Sequence, residues 1–152
     1  MNGAPEMGKE CEICQLVADV NDPSSPRSSF RITEMAVSVA VLSSDQFFKG
    51  YTLVAYKEHV TELYHLPPDK RGEYCEEMIK IANALDKAFR PDKMNYELLG
   101  NQQAHMHWHL IPRYRDDGLW GLPVWVQRHE KKMLADKEYQ ELIGRINPHL
   151  SS

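Results

Sequence analysis

The sequence predicts a single α+β domain with a mostly antiparallel sheet, one long helix and a C-terminal helix. Four short segments rich in strand-forming residues are spread along the chain, and turn signals separate them. Between the second and third of these, a long segment has apolar residues at three- and four-residue steps, which is typical of an amphipathic helix. Strands and one long helix in this order favour an α+β class.

Length and composition fit an ordinary globular domain. The chain has 152 residues, of which 42% are hydrophobic and 26% are charged, and its formal net charge is -4. A mildly acidic balance argues against a nucleic-acid binder that works through a basic face. No apolar run approaches the ~20 residues that a membrane helix needs, and residues 1–10 lack an apolar signal-peptide core. We therefore expect a cytoplasmic protein with no nucleic-acid or membrane partner.

The amino-terminal third predicts a helix, a loop and a strand. Residues 12–20 suit a short helix, and segment 21–29 is a turn-rich loop of Asn, Asp, Pro and Ser residues. Residues 30–42 predict one strand, because β-branched residues recur there at period 2. These residues are Val37, Val39 and Val41.

A second strand and the long helix follow. Residues 51–56 are rich in β-formers, and Gly50 marks the break before them. The helix is predicted over 67–89, since proline suits a first helical turn, where its missing N–H is not needed. Its apolar stripe consists of Tyr74, Met78, Ile81, Leu85 and Phe89.

The remainder of the chain predicts two more strands and a final helix. Residues 94–99 and 105–111 are the strand candidates, and Pro112 closes the second. The last helix is expected from Asp136, as its N-cap, to Ile146.

Two of the three cysteines stand in a Cys-x-x-Cys pattern. The pattern at Cys11 and Cys14 is either half of a metal site or a redox pair. A redox pair normally follows a strand, and only ten polar residues precede Cys11. A metal site needs two further ligands from elsewhere in the chain. Cys75 is most simply a packing residue of the long helix.

Histidine alternates with an apolar residue three times near residue 105. In a strand, His105, His107 and His109 share one face, while the apolar residues between them face the core. A half-exposed polar face, a metal site and a nucleophile toward phosphorus all fit this pattern. A cupin-like metal site requires a Glu a few residues after the His-x-His pair. The sequence has none there, which disfavours that class.

The third of these interpretations has a direct chemical basis. Most of an imidazole side-chain population is uncharged at neutral pH, so it can attack phosphorus without a separate base. Asn101 and Gln102, which follow Gly100, can add hydrogen-bond donors for phosphate oxygens.

The histidine segment resembles a known family. His105-Met106-His107-Trp108-His109-Leu110-Ile111 matches the His-φ-His-φ-His-φ-φ signature of the histidine triad (HIT) superfamily, where φ is apolar. Segment 50–63 resembles the family's preceding strand and turn, and segment 95–114 resembles a bacterial branch of HIT hydrolases. The resemblance implies a HIT domain over 9–115 and a C-terminal extension over 116–152 that packs on the same domain.

The resemblance implies a HIT-like fold, a homodimer and nucleotide substrates. The middle histidine, His107, is then the residue that takes up the nucleotidyl group before water releases it, and His109 binds the α-phosphate or leaving-group oxygens. The substrate is a dinucleoside polyphosphate or a nucleoside phosphoramidate-like conjugate. The expected substrate-binding residues are Asn101, Gln102, Tyr51 and Asn95.

Many bacterial relatives hold one structural zinc ion, and their ligands match four residues of this chain. These residues are Cys11, Cys14, His59 and His105. The match implies a closed site of two cysteines and two histidines, with one zinc per chain, and it removes His105 from the chemistry.

The chain differs from the family at residues that commonly line the nucleoside pocket. Tyr51 stands where many members have His, and Ser43 aligns with an acidic residue that holds the ribose in some members. We therefore expect weak discrimination between bases. Trp120 and Trp125 suit base stacking, packing or a dimer interface. The alternative function is a nucleotide- or metal-binding regulatory protein with little turnover, which leaves no covalent nucleotide on His107.

Overall fold

Five strands form one antiparallel sheet, and helices pack on both of its faces. The computed structural model describes residues 11–151. The strands are β1 (Arg31–Glu34), β2 (Ser38–Leu42), β3 (Thr52–Tyr56), β4 (Lys93–Glu97) and β5 (His107–Arg113), in the spatial order β1-β2-β3-β5-β4. The α-helices of the described residues are α1 (Glu12–Val20), α2 (Pro68–Phe89) and α3 (Asp136–Ile146). The predicted α+β class and mostly antiparallel sheet are confirmed.

The two faces of the sheet bury different side chains. On one face, Val54 and Leu110 pack with residues of α2 and α3 into the main core. On the opposite face, Val39 and Ala55 pack against the apolar side of α1. Ala55 of β3 stands opposite His107 of β5 in the register, so the histidines of β5 lie on the face that α1 partly covers. We call this the histidine face.

The segment 30–42 is two strands, and the expectation of one strand is wrong. The chain reverses after β1, and the amide of Met35 donates to the carbonyl of Ser38 at 2.9 Å. No Gly or Pro marks this reversal. Strand β2 is buried along its whole length because both faces of the sheet are covered there. Its residues therefore show no polar alternation that would separate it from β1.

Strand β5 begins two residues later than predicted and ends one residue after Pro112. His105 precedes the strand and is fully buried. The strand continues through Pro112 because β3 pairs with β5 only as far as Leu110. Beyond that point β5 pairs with β4 alone, where a residue without an amide hydrogen is tolerated.

Helix α3 has Ala135 at its N-cap, so the expectation of Asp136 is wrong. The amide of Ala135 donates to the carboxylate of Glu138 at 2.8 Å. Glu138 thus satisfies an amide at the start of the helix and places negative charge at its positive end.

Two further sequence expectations concern the start of the domain and the lack of a membrane-spanning helix. Residues 9 and 10, where the HIT domain is expected to begin, lie outside the described residues. None of the helices within residues 11–151 combines the length and apolarity that crossing a bilayer requires.

Candidate functional site

A cleft of about 290 Å³ opens on the histidine face. The cleft is lined by the loop 99–103, His107, His109 and Trp125. The loop follows β4 and the histidines belong to β5, so the antiparallel pairing of these two strands builds most of the site. The imidazole centroids of His107 and His109 are 4.7 Å apart.

His107 is held in one tautomer by the backbone. Its Nδ1 lies 2.6 Å from the carbonyl oxygen of His105, and a carbonyl can only accept, so Nδ1 carries the proton. The lone pair is therefore on Nε2. This is the state that a nucleophilic imidazole requires.

Nδ1 of His109 pairs with the phenol of Tyr51. The phenol oxygen lies 2.6 Å from Nδ1 of His109. Burial, and then the charge of His107, lowers the pKa of His109 to about 4, so this imidazole is neutral at pH 7. Burial raises the pKa of Tyr51 far above its ordinary value. The protonated phenol can donate to Nδ1, and in that pairing Nε2 of His109 carries the proton and is a donor.

The predicted substrate contacts are only partly brought together. Asn101 and Gln102 lie in the wall of the cleft, and Tyr51 reaches it through His109. Asn95 lies outside the cleft, and its amide oxygen accepts from the guanidinium of Arg113 at 2.9 Å. A role for Asn95 in substrate binding stays a prediction.

The four predicted zinc ligands form a second cluster, at the N-terminus of α1. One ligand atom from each residue lies within 4.8 Å of the others; the residues are Cys11, Cys14, His59 and His105. The Cys14 sulfur is 3.4 Å from His59 Nδ1 and 3.3 Å from His105 Nδ1. Cys11 also caps α1, because its sulfur accepts from the amide of Cys14.

The chemistry of this cluster fits zinc. His105 donates from Nε2 to the carbonyl of Tyr56 at 2.6 Å, which leaves the lone pair of Nδ1 facing the sulfur atoms. Burial, with the neighbouring Cys11, raises the pKa of the Cys14 thiol to about 11. Two thiols beside two imidazoles are poorly stabilised as thiolates by the protein alone, and a divalent cation supplies the missing charge.

Sequence reasoning missed one acidic residue of the site. Glu97 stands opposite His109 in the pairing of β4 and β5, and its carboxylate accepts a hydrogen bond from the indole of Trp125. The indole ring meets His109 edge-on, with centroids 5.3 Å apart. Only the register of the two strands brings Glu97 to the histidines, and that register is not readable from either segment alone.

Comparisons with known proteins decide the family. The family model of the HIT domain matches residues 26–116. The chain belongs to the HIT family. It is 29% identical over 149 residues to the adenylylsulfatase HINT3 of Arabidopsis thaliana, covering 94% of this chain and 71% of the relative. It is 30% identical over 101 residues to the adenosine 5'-monophosphoramidase hnt1 of Schizosaccharomyces pombe, covering 62% and 70%.

Solved structures of HIT proteins share the fold. A histidine triad protein of Sinorhizobium meliloti superposes with a TM-score of 0.74 at 24% identity, covering 80% of this chain and 89% of that chain. A Zn-bound histidine triad family protein of Mycobacterium smegmatis gives a TM-score of 0.65 at 22% identity, covering 93% and 94%. The predicted HIT-like fold is confirmed, and the named hydrolases support the hydrolase or transferase class of the family.

Proposed function

We propose that this chain is a HIT-type nucleotide hydrolase or nucleotidyl transferase that forms a covalent nucleotidyl intermediate on His107. The observation that carries the proposal is the fixed tautomer of this imidazole. Its Nδ1–H is engaged by the carbonyl of His105, and the lone pair of Nε2 remains at the cleft. The two relatives named as hydrolases of adenylyl compounds support the same class.

The reaction proceeds in two displacements. In the first, Nε2 of His107 attacks the phosphorus that bears the nucleoside, an N–P bond forms, and the leaving group departs with the electron pair of its bond. The carbonyl of His105 stabilises the positive charge that the imidazole gains. In the second, water attacks the same phosphorus, the N–P bond breaks, and the proton from water passes to solvent.

His109 acts as a hydrogen-bond donor in this mechanism. With Tyr51 donating to Nδ1, its Nε2–H binds an oxygen of the phosphoryl group or of the leaving group, and Asn101 and Gln102 supply amide donors from the loop that lines the cleft. Dinucleoside polyphosphates, adenylyl sulfate and nucleoside phosphoramidate-like conjugates all offer such an oxygen on the phosphorus that bears the nucleoside.

A panel of nucleotide conjugates tests this function. We expect a covalent nucleotide on the wild-type chain, detected by mass spectrometry after rapid acid-free quenching, and none on His107→Ala. Turnover of the variant should fall by several orders of magnitude, as expected when a covalent step is removed. His65→Ala, an exposed histidine away from the cleft, is the matched control. Hydrolysis by His107→Ala at near the wild-type rate would contradict the proposal.

We also propose one structural zinc ion per chain, held by the cluster at α1. The two sulfur atoms and two Nδ1 atoms described above form a closed set of four ligands, so the ion has no open position for substrate. His105 is then a ligand through its ring, while its backbone carbonyl orients His107. A homodimer and a cytoplasmic location stay predictions.

A further inference from the structure

The chain after β5 returns to the histidine face, and a buried arginine holds it there. Arg113 is 1% exposed, and its Nε lies 2.7 Å from Oδ2 of Asp117. The same guanidinium donates to the backbone carbonyls of Leu119 and Leu122. A guanidinium that satisfies a carboxylate and two carbonyls in a buried setting fixes the path of segment 117–122.

Trp125 follows this anchored segment and lines the cleft. The indole N–H donates to the carboxylate of Glu97, and the ring edge meets His109 at an interplanar angle of 77°. Trp125 nevertheless keeps 51% of its surface exposed, and Leu99 on the loop of the cleft keeps 52%. Two large apolar side chains that line the cleft are thus left about half uncovered.

The position of Trp125 in the chain separates it from the common part of the family. The HIT match ends at residue 116, so Trp125 comes from the C-terminal extension. The phosphate-directed groups of the cleft, by contrast, all lie within the match. The histidines and amides of the cleft and Trp125 therefore come from different segments of the chain.

We propose that Trp125, which lines the cleft together with Leu99, is a specificity-determining residue that stacks a planar aromatic group of the substrate beside His109. This subsite rests on the proposed nucleotide function, and its occupant is either the nucleobase or an aromatic leaving group. An indole face accepts any planar ring without hydrogen-bond readout. Such a subsite favours a planar group strongly while distinguishing poorly between adenine and guanine.

Binding measurements test the subsite without requiring turnover. Ligand-observed NMR titration gives the Kd of AMP against ribose 5-phosphate, and of phenyl phosphate against methyl phosphate. We expect the wild-type chain to prefer the planar member of at least one pair, and Trp125→Ala to reduce that preference about tenfold. Trp125→Phe should retain most of it. Trp120→Ala is the matched control, because Trp120 packs against Arg115 with the guanidinium 5.0 Å from the ring centroid.

Each outcome identifies the occupant or overturns the subsite. A change confined to the AMP pair assigns the nucleobase to Trp125, and a change confined to the phenyl phosphate pair assigns the leaving group. Equal weakening of planar and non-planar ligands shows only a structural role for Trp125 and overturns the inference, as does a preference that Trp125→Ala leaves intact. Failure of the proposed function would give a different result: the chain would still bind these ligands, but no nucleotide would be found on His107.

Discussion

At the scale of single residues, the two cleft histidines differ because their Nδ1 atoms meet different partners. A backbone carbonyl accepts from Nδ1 of His107, whereas Nδ1 of His109 pairs with the phenol of Tyr51, which is able to donate. His107 therefore presents a lone pair at Nε2, and His109 presents N–H there when the phenol donates, as the proposed mechanism requires. Two adjacent and chemically identical side chains are thus suited to the roles of nucleophile and donor.

Removing the phenol oxygen should disturb this division. In Tyr51→Phe, Nδ1 of His109 loses its partner, and the tautomer without a donor at Nε2 becomes accessible. We expect kcat to fall roughly tenfold with a smaller change in KM, because a buried polar group left unpaired costs about 1–3 kcal/mol. Tyr114→Phe removes a phenol that bonds Lys49 outside the cleft. An equal loss of kcat in both variants would show that the effect is not specific to His109.

The depressed pKa of His109 predicts how stability depends on pH. Burial lowers its pKa from 6.5 to about 4 in the folded chain, so between these values the unfolded chain binds a proton that the folded chain does not. Its contribution to stability is complete above pH 6.5 and is lost as pH falls toward 4. Between about pH 7 and 5.5, the free energy of unfolding measured in urea should fall by about 1 kcal/mol more in the wild type than in His109→Gln. Parallel pH curves for the two proteins would refute this assignment.

At the scale of elements, the turn into β3 requires glycine at position 50. Gly50 has a φ of +91°, and an added Cβ would lie 2.7 Å from Cδ2 of Phe89 at the end of α2. We expect Gly50→Ala to lower the free energy of unfolding by about 2–4 kcal/mol, from backbone strain and overpacking together. Gly72→Ala is the control, because no neighbouring atom lies within 4 Å of its added Cβ and it sits inside α2. That change should stabilise the chain by up to about 1 kcal/mol, as thermal or urea unfolding would show.

The cluster at the start of α1 joins three separate parts of the chain, so a metal there should stabilise the fold. We expect one equivalent of zinc by elemental analysis in protein purified without chelator. Cys14→Ala should lose the metal and lower Tm by at least about 10 °C. Cys75→Ala, which removes a thiol outside the cluster, should keep the metal and the wild-type Tm. Wild-type protein that contains no metal would contradict the assignment.

At the scale of the whole molecule, the C-terminal extension supplies part of the main core. The buried residues of α3 belong to the same cluster as those of α2 and the sheet; they are Tyr139, Leu142, Ile143 and Ile146. We propose that segments 9–115 and 116–152 fold as one unit. A chain that ends at residue 115 should therefore lose cooperative thermal unfolding, because its core is left open to water. A cooperative transition near the full-length Tm would show that the HIT domain folds alone.

Local patterns predict much of the fold. The bounds of α1 and α3 and the end of α2 agree with the sequence prediction, because helix periodicity acts within a few residues, although the N-cap of α3 is Ala135 and not Asp136. Strand positions agree within about two residues, except where both faces of β2 are covered and no alternation remains. The histidine strand is recognisable because period 2 places several imidazoles on one face, an arrangement that packing alone rarely produces.

The sequence by itself determined the family through the spacing of its histidines, and the resemblance to that family implied the candidate nucleophile and the four residues of the candidate metal cluster. Only the tertiary structure decided the order of the strands, the tautomer of His107, the pairing of Tyr51 with His109, and the approach of Glu97 and Trp125 to the cleft. These depend on contacts between segments far apart in the chain. Cross-strand register and the burial of Arg113 create those contacts, and neither leaves a periodic signal in the residues that take part.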